Sequence, residues 1–188
     1  MHLARELAAT FSALAIDTVV GDALEGFNPS HDLCRFVINV AVSLVQRYTG
    51  RALENYDGAL DGSSEHRPGN PHAAGLLVEV DEAALQRKLA AAHRYAELKV
   101  ETDAALARFG PREFRTEHPR PVLDVRQGLD RVAQEPPDYE RYGDMRVRAG
   151  CYDGVIRYRD DVRPLVHALW RQAGLTPGDA ARSARTGS

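Results

Sequence analysis

An almost continuously apolar segment, residues 32–47, constrains the fold most strongly. Its few polar residues fall at helical intervals, which predicts a helix with one narrow polar stripe formed by Arg35, Asn39, Ser43 and Gln46. Such a helix must be covered on nearly every side. Residues 16–22, just before it, are rich in β-branched side chains and predict a strand buried on both faces. We therefore expect an α/β fold with a small, mostly parallel sheet.

Further helices are predicted on both sides of this pair. Residues 2–15 carry apolar side chains at intervals of three and four, and residues 81–109 predict one long helix because Gly110 and Pro111 mark its end. Residues 139–149 and 152–173 also have helical patterns. The second pattern continues across Pro164 and fits either one kinked helix or two abutting ones. The C-terminal half is thus expected to be largely helical.

The remaining segments predict loops, short strands and a tail. Residues 49–75 are rich in Gly, Asp, Ser, Asn and Pro and predict a long, mobile surface loop. Residues 76–80 predict a short strand, and another is compatible with the sequence near Phe114. Residues 174–188 predict a disordered tail. With 188 residues in all, residues 1–173 fit a single α/β domain.

Composition narrows the classes of partner. The 24 basic and 27 acidic residues are interleaved without a basic block, which argues against nucleic-acid binding. No stretch offers the ~20 consecutive apolar residues that a membrane span needs. Cys34 and Cys151 are too few and too far apart for a disulfide framework, so we expect a reduced, cytoplasmic protein.

The segment that carries chemistry lies between the predicted strand and helix and reads EGFNPSHD, residues 25–32. Asn28 is a preferred N-cap, Pro29 suits the first helical position, and Asp32 adds negative charge where the helix dipole favours it. Capping does not account for His31. A helix N-terminus favours the neutral imidazole, which is the form that binds a metal.

The string E-G-x-x-P-x-H-D, placed after an apolar strand and before an apolar helix, resembles a motif of the PIG-L-like (LmbE-like) zinc-dependent N-deacetylases. Their second metal-site motif is commonly E-G-G-H-P-D-H-D. Residues 88–98, KLAAAHRYAEL, extend the likeness because Lys88 and Tyr95 keep the spacing of the family's K-x-x-A-L-x-x-Y-x-S-Q stretch. The resemblance covers roughly the first 110 residues.

This resemblance implies a Rossmann-like α/β domain in which zinc-activated water hydrolyses an N-acetyl group, usually on a glucosamine-containing, sugar-type substrate. It makes His31 the metal ligand. Asn28, in place of a family histidine, and Asp32 take the catalytic positions. Glu25 and Tyr95 take the substrate-binding positions.

Two departures from the family pattern change this expectation. Asn28 replaces the histidine that assists at the transition state and cannot shuttle a proton, and Ser30 replaces the supporting aspartate. The family's A-H-P-D-D-E motif, which supplies its other ligands and general base, does not occur in these 188 residues. Catalytic zinc normally has three protein ligands, so the zinc site is expected to be incomplete in this chain.

Two functional hypotheses follow. The first is a PIG-L-like deacetylase with an incomplete metal site, either short of an upstream strand-turn-helix unit or with its catalytic half lost. The second is a non-catalytic binding or assembly protein that keeps the scaffold. In both, the apolar faces of residues 16–22 and 32–47 need cover, so we expect a homo-oligomer, another covering partner or a missing upstream segment.

Other candidates are weaker. His66 and His72, near Glu65, could replace ligands but lie in the predicted loop, and His93 marks a helix-face boundary. Cys34 is expected to be an inert small hydrophobe on the covered helix, and Cys151 has no identifiable base. Tyrosines and arginines interleave in the C-terminal region, which fits either a partner interface or a solvated face with ordinary ion pairs. They are Tyr139, Tyr142, Tyr152 and Tyr158 with Arg141, Arg146, Arg148, Arg157 and Arg159.

Overall fold

The computed structural model describes residues 1–58, 76–123 and 136–175. Helices and a small sheet occur together in these residues, so the predicted α/β class is confirmed. The chain forms two compact units: unit 1 is Met1–Asp57 with Pro121–Ser188, and unit 2 is Gly58–Arg120. No helix within the three described stretches has both the length and the hydropathy that crossing a bilayer requires.

In chain order, the secondary-structure elements are α1 (His2–Ala13), β1 (Thr18–Asp22), α2 (Pro29–Thr49), β2 (Glu54–Gly58), β3 (Val78–Glu79), α3 (Glu82–Arg94), α4 (Lys99–Phe109), β4 (Thr116–Glu117), β5 (Arg120–Pro121), α5 (Asp138–Arg148) and α6 (Arg163–Gln172). Single 3₁₀ turns occupy Ala96–Leu98 and Pro111–Arg115, and a π-helical turn, Tyr158–Val162, precedes α6. The strands form a sheet in the order β1-β2-β5 and an antiparallel pair β3-β4.

Helix α2 is the centre of unit 1. It packs against α1, β1 and α6, and Phe36, Val40 and Leu44 are completely buried along it. The prediction that this segment is covered on nearly every side is confirmed. Two residues of its polar stripe, Arg35 and Asn39, are buried as well, although polar residues of this kind are usually exposed.

The prediction that the first strand is buried on both faces is wrong. In β1 only Val19 is buried, and its neighbours Thr18 and Val20 are exposed. This alternation is the pattern of a strand with one face towards the core. The β-branched run in the sequence reports strand propensity and does not determine how many faces are covered.

The prediction of one continuous helix over residues 81–109 is also wrong, because the helix is interrupted near its middle. It begins as expected, because the Asp81 side chain accepts a hydrogen bond from Ala84 N, and it ends as expected before Gly110, whose φ is +77°. Between these ends the helix breaks at Tyr95, whose backbone is extended. α3 and α4 are therefore separate helices that pack against each other.

Three further boundaries differ from expectation. The predicted loop 49–75 contains β2, and residues 59–75 lie outside the described residues. The predicted helix 152–173 begins only at Tyr158, where a π-helical turn continues into α6 at Arg163 because Val162 and Arg163 both have helical backbone. Residues 124–135 and 176–188, including most of the predicted tail, lie outside the described residues.

Candidate functional site

The N-terminus of α2 is built as its sequence predicts. Asn28 has extended backbone and its Oδ1 accepts a hydrogen bond from Ser30 N at 2.9 Å, which makes it the N-cap. Pro29 occupies the first helical position, where a missing N–H costs nothing. The side-chain oxygen of Asn28 is thus engaged with the helix backbone.

Asp32 has a structural role in the same turn. Its Oδ1 accepts hydrogen bonds from the backbone N–H groups of Glu25 and Gly26, at 3.2 and 3.3 Å, and the residue is 1% exposed. Burial raises the pKa of the Asp32 carboxyl above its ordinary value, while the two N–H groups act to lower it. Asp32 therefore ties the loop after β1 back to α2.

His31 is paired with a residue that the sequence does not single out. Its Nδ1 lies 2.7 Å from Oδ2 of Asp22, the last residue of β1, and both side chains remain partly exposed. A carboxylate that accepts from Nδ1 fixes the orientation of the imidazole ring and directs the proton to that nitrogen. The contact joins the end of β1 to the first turn of α2.

A buried arginine lies one turn further along α2. The Nη1 of Arg35 donates to Oδ1 of Asn55 at 3.2 Å and to the carbonyl of Tyr56 at 2.9 Å, which connects α2 to β2. Asn55 in turn donates to Asn39 Oδ1 at 3.1 Å. Burial lowers the pKa of the Arg35 guanidinium, and the carboxylates of Asp57 and Asp22 act to raise it.

We call this group the α2 polar cluster; its members are Asp22, His31, Asp32, Arg35, Asn39 and Asn55. The helical spacing alone does not separate its buried members from an ordinary polar stripe. The signal that could have found them is Gly21, because a Cβ at this position would lie 2.8 Å from Arg35 Nη2. A glycine opposite a long polar side chain indicates close approach of the backbone to that side chain.

The other predicted site residues lie in different parts of the chain. Glu25 lies in the loop after β1, where its N–H donates to Asp32. Tyr95 belongs to unit 2 and is largely exposed at the end of α3. His66, His72 and Glu65 lie outside the described residues. His93 contacts its own helix and Asp103, as expected for a residue at a face boundary.

The expectation that Cys34 is covered is wrong, because it is exposed on α2. Cys34 lies one turn after the exposed Ser30, and the cover along α2 does not extend to this position. Cys151 is exposed too, and its Sγ lies 3.8 Å from the carbonyl of Ala149.

The Tyr/Arg region divides into a buried part and an exposed part. Tyr139 and Tyr158 are core residues, and burial raises the pKa of the Tyr139 hydroxyl. Arg157 bonds to both Asp144 and Glu140. Arg146, by contrast, is within cation–π distance of two half-exposed rings, those of Tyr142 and Tyr152.

Fold and site together define an α/β chain in which polar side chains gather where β1 and β2 meet the N-terminal half of α2. No protein-family model, no curated protein and no solved structure matches this chain.

The described residues do not supply a catalytic zinc site. Oδ1 of Asp32 accepts hydrogen bonds from backbone N–H groups, and the carboxylate of Asp22 is hydrogen-bonded to the imidazole of His31. Among the residues that the structure describes, no three His, Cys, Asp or Glu side chains converge as metal ligands. Three protein ligands are the usual requirement for catalytic zinc, so His31 alone does not meet it.

Proposed function

We propose that this chain is a binding or assembly protein built on a PIG-L-like scaffold, and that it does not hydrolyse N-acetyl groups by itself. The proposal rests on the contacts made by the side chains at the positions that the resemblance assigns to catalysis and metal binding. Asn28 caps α2, Asp32 holds the Glu25–Gly26 backbone, and His31 is paired with Asp22. All three hold the segment between strand and helix in shape.

The Rossmann-like, mostly parallel sheet is part of this proposal. The first residues of β1 and β2 lie side by side, since Glu54 N donates to the Asp17 carbonyl and Thr18 Oγ1 donates to Glu54 Oε2. Neighbouring first residues are expected of parallel strands, and α2 connects these two as a crossover helix. A reduced, cytoplasmic setting also remains part of the proposal.

Metal analysis combined with a deacetylation assay tests the proposal. We expect the purified chain to retain less than stoichiometric zinc after dialysis and to release no acetate from N-acetylglucosaminyl substrates. His31→Ala should leave both readings unchanged, as should the matched control His93→Ala in unit 2. Tight stoichiometric zinc that is lost only in His31→Ala would overturn the proposal.

Metal-assisted N-deacetylation is the second candidate, and one observation favours it. Metal-ligating histidines commonly donate their other ring N–H to a carboxylate, which is what Asp22 accepts from His31. The remaining ligands would have to come from outside the described residues. Zinc retention together with acetate release, both reduced in Asp22→Asn, would support this candidate.

An assembly role also predicts self-association. The exposed apolar side chains of unit 1 include Val20 and Phe27, on and just after β1. Exposed apolar surface of this kind favours contact with another chain. We expect sedimentation velocity at micromolar concentration to show species larger than a monomer, and a single monomeric species would contradict this expectation.

A further inference from the structure

We propose that the contact between His93 and Asp103 is a pH-sensitive clasp that holds α3 against α4, so that the helix pair opens more easily as pH rises. The clasp crosses the break at Tyr95, the residue at which α3 ends. It belongs to unit 2, whereas the α2 polar cluster, on which the proposed function rests, belongs to unit 1.

Each ring nitrogen of His93 contacts a hydrogen-bond acceptor. Nδ1 is 2.9 Å from the carbonyl oxygen of Leu89, one turn back on α3, and Nε2 is 3.2 Å from Oδ1 of Asp103 on α4. A backbone carbonyl and a carboxylate only accept hydrogen bonds, and a neutral imidazole carries a proton on one nitrogen alone. Both contacts are therefore hydrogen bonds only when the ring is doubly protonated and positively charged.

Asp103 stays ionised while His93 changes its charge. Oδ2 of Asp103 accepts a hydrogen bond from Lys99 Nζ at 2.7 Å, and this bond lowers the pKa of the Asp103 carboxyl below its ordinary value. Histidine side chains ordinarily lose their proton at about pH 6.5, far above the range in which a carboxylate titrates. Around neutral pH, His93 is therefore the member of this network that gains or loses a proton.

Loss of that proton weakens the connection between the two helices. The neutral ring has a single N–H, so it gives up one of its two hydrogen bonds, and its contact with Asp103 loses the contribution of the positive charge. The bond between Lys99 and Asp103 persists, but it joins two residues of α4 and does not connect the helices. The stabilisation from the clasp is thus fully present at acid pH and is lost as pH rises through the titration of His93.

The surroundings of His93 also favour its charged form. The residue lies in the last turn of α3, where the helix dipole favours a positive charge. The main elements that pack against α3 are α4 and the 3₁₀ turns Ala96–Leu98 and Pro111–Arg115, and Asp103 of α4 is the charged group among them that bonds to the ring. The other charged residues of these elements and of α3 itself are Glu82, Arg87, Lys88, Arg94, Glu97, Lys99, Glu101, Arg108, Arg112, Glu113 and Arg115.

Unit 2 depends on a contact of this kind because little else holds its helices together. Its described residues bury a single apolar side chain, Leu85. The extended backbone at Tyr95 also interrupts the hydrogen-bond ladder between α3 and the residues that follow. Where few apolar contacts oppose opening, a polar contact across the break changes the population of the open form directly.

Native-state hydrogen exchange on the full chain, at about pH 5.5 and about pH 7.5, tests the clasp. After division by the intrinsic exchange rates, we expect the protection of α3 and α4 amides to fall about two- to fivefold from the lower to the higher pH, the effect of an exposed charge pair. His93→Gln does not titrate and should show the lower protection at both pH values. His93→Arg keeps a permanent charge and donors for Asp103, so it should show the higher protection at both.

Two further variants complete the test. Asp103→Asn should also remove the pH dependence, and combining it with His93→Gln should add nothing. His2→Gln is the matched control, because His2 is an exposed histidine that pairs with Glu6 inside a single helix of unit 1. It should leave the exchange of α3 and α4 as in the wild type.

Several outcomes overturn the clasp. They are protection that does not change with pH in the wild type, an equal change in the wild type and in His93→Gln, or an equal loss in His2→Gln and His93→Gln. Circular dichroism confirms that each variant is folded, and Asp103→Asn provides the test if His93→Gln is not. The zinc and acetate measurements report separately on the proposed function.

Discussion

At Gly21 of β1, two side chains of α2 reach the position that a Cβ would occupy. A Cβ there would lie 2.7 Å from Ile38 Cδ1 and 2.8 Å from Arg35 Nη2. We expect Gly21→Ala to lower the free energy of unfolding by about 1–3 kcal/mol, the usual cost of overpacking. Urea denaturation measures this change. Gly58→Ala in β2, where a Cβ would meet no atom of the described residues within 4 Å, is the control and should shift stability by less than about 0.5 kcal/mol.

The carboxyl of Asp32 makes stability depend on pH. Burial raises its pKa, so between the ordinary value of 3.8 and the native value the folded state holds a proton that the unfolded state has released. The stability it contributes is fully present below that ordinary value and is lost as pH rises through the native pKa. Urea denaturation of the wild type and of Asp32→Asn measures this contribution as the difference between their unfolding free energies. We expect this difference, wild type minus variant, to fall as pH rises through this window.

Asp144 provides a control of opposite sign. The hydrogen bond from Arg157 lowers the pKa of this carboxyl, so its contribution is present above the ordinary value of 3.8 and is lost as pH falls through the native pKa. The wild type minus Asp144→Asn difference should therefore fall towards acid pH. Differences that change in the same direction for both residues would contradict the assignment.

Individual residues differ in how far sequence alone predicts them. The capping roles of Asn28 and Pro29 are predictable because caps depend on the few residues around a helix start, whereas the bonds that Asp32 accepts from the Glu25 and Gly26 backbone are not. The burial of Arg35 is not predictable either, since its partners Asn55 and Tyr56 lie on β2, about twenty residues away. The contact between Asp22 and His31 escapes prediction for a related reason, because the loop between them determines where the two side chains meet.

Helix α2 is the element on which unit 1 depends, and its N-cap is its most accessible point for a test. Asn28→Ala removes the acceptor for Ser30 N and should cost about 1 kcal/mol of unfolding free energy. Asn28→Asp keeps an acceptor at the N-cap and should stay close to the wild type. Thermal and urea denaturation measure both variants. An equal loss in both would show that the Asn28 amide acts through another contact.

Helix and strand boundaries are predictable from the sequence pattern only in part. The ends of the 81–109 segment are predictable because Asp81 is a capping residue and Gly110 followed by Pro111 terminates a helix. The break at Tyr95 has no such signal, since the residues around it carry neither Gly nor Pro. The break allows α3 and α4 to pack against each other, so it depends on tertiary contacts. Likewise β2, with the sequence ENYDG, has strand neighbours but little strand propensity.

The two units differ in the amount of apolar surface that they bury. In unit 1 buried apolar side chains extend from α1 through α2 to α6, whereas the described residues of unit 2 contain a single buried apolar side chain, Leu85 of α3. Because burial of apolar surface is the main stabilising contribution to folding, unit 2 is expected to open at lower free energy than unit 1.

Native-state hydrogen exchange tests this difference across the whole chain. We expect amides of α3 and α4 to exchange through local unfolding, with protection well below that of the α2 amides. Leu85→Ala should cost about 2–5 kcal/mol and accelerate exchange in α3 and α4 while leaving α2 unchanged. Leu44→Ala, at a fully buried position of α2, is the matched control and should accelerate exchange throughout unit 1. If Leu85→Ala accelerates α2 to the same extent, the two units unfold as one cooperative body and the expectation is wrong.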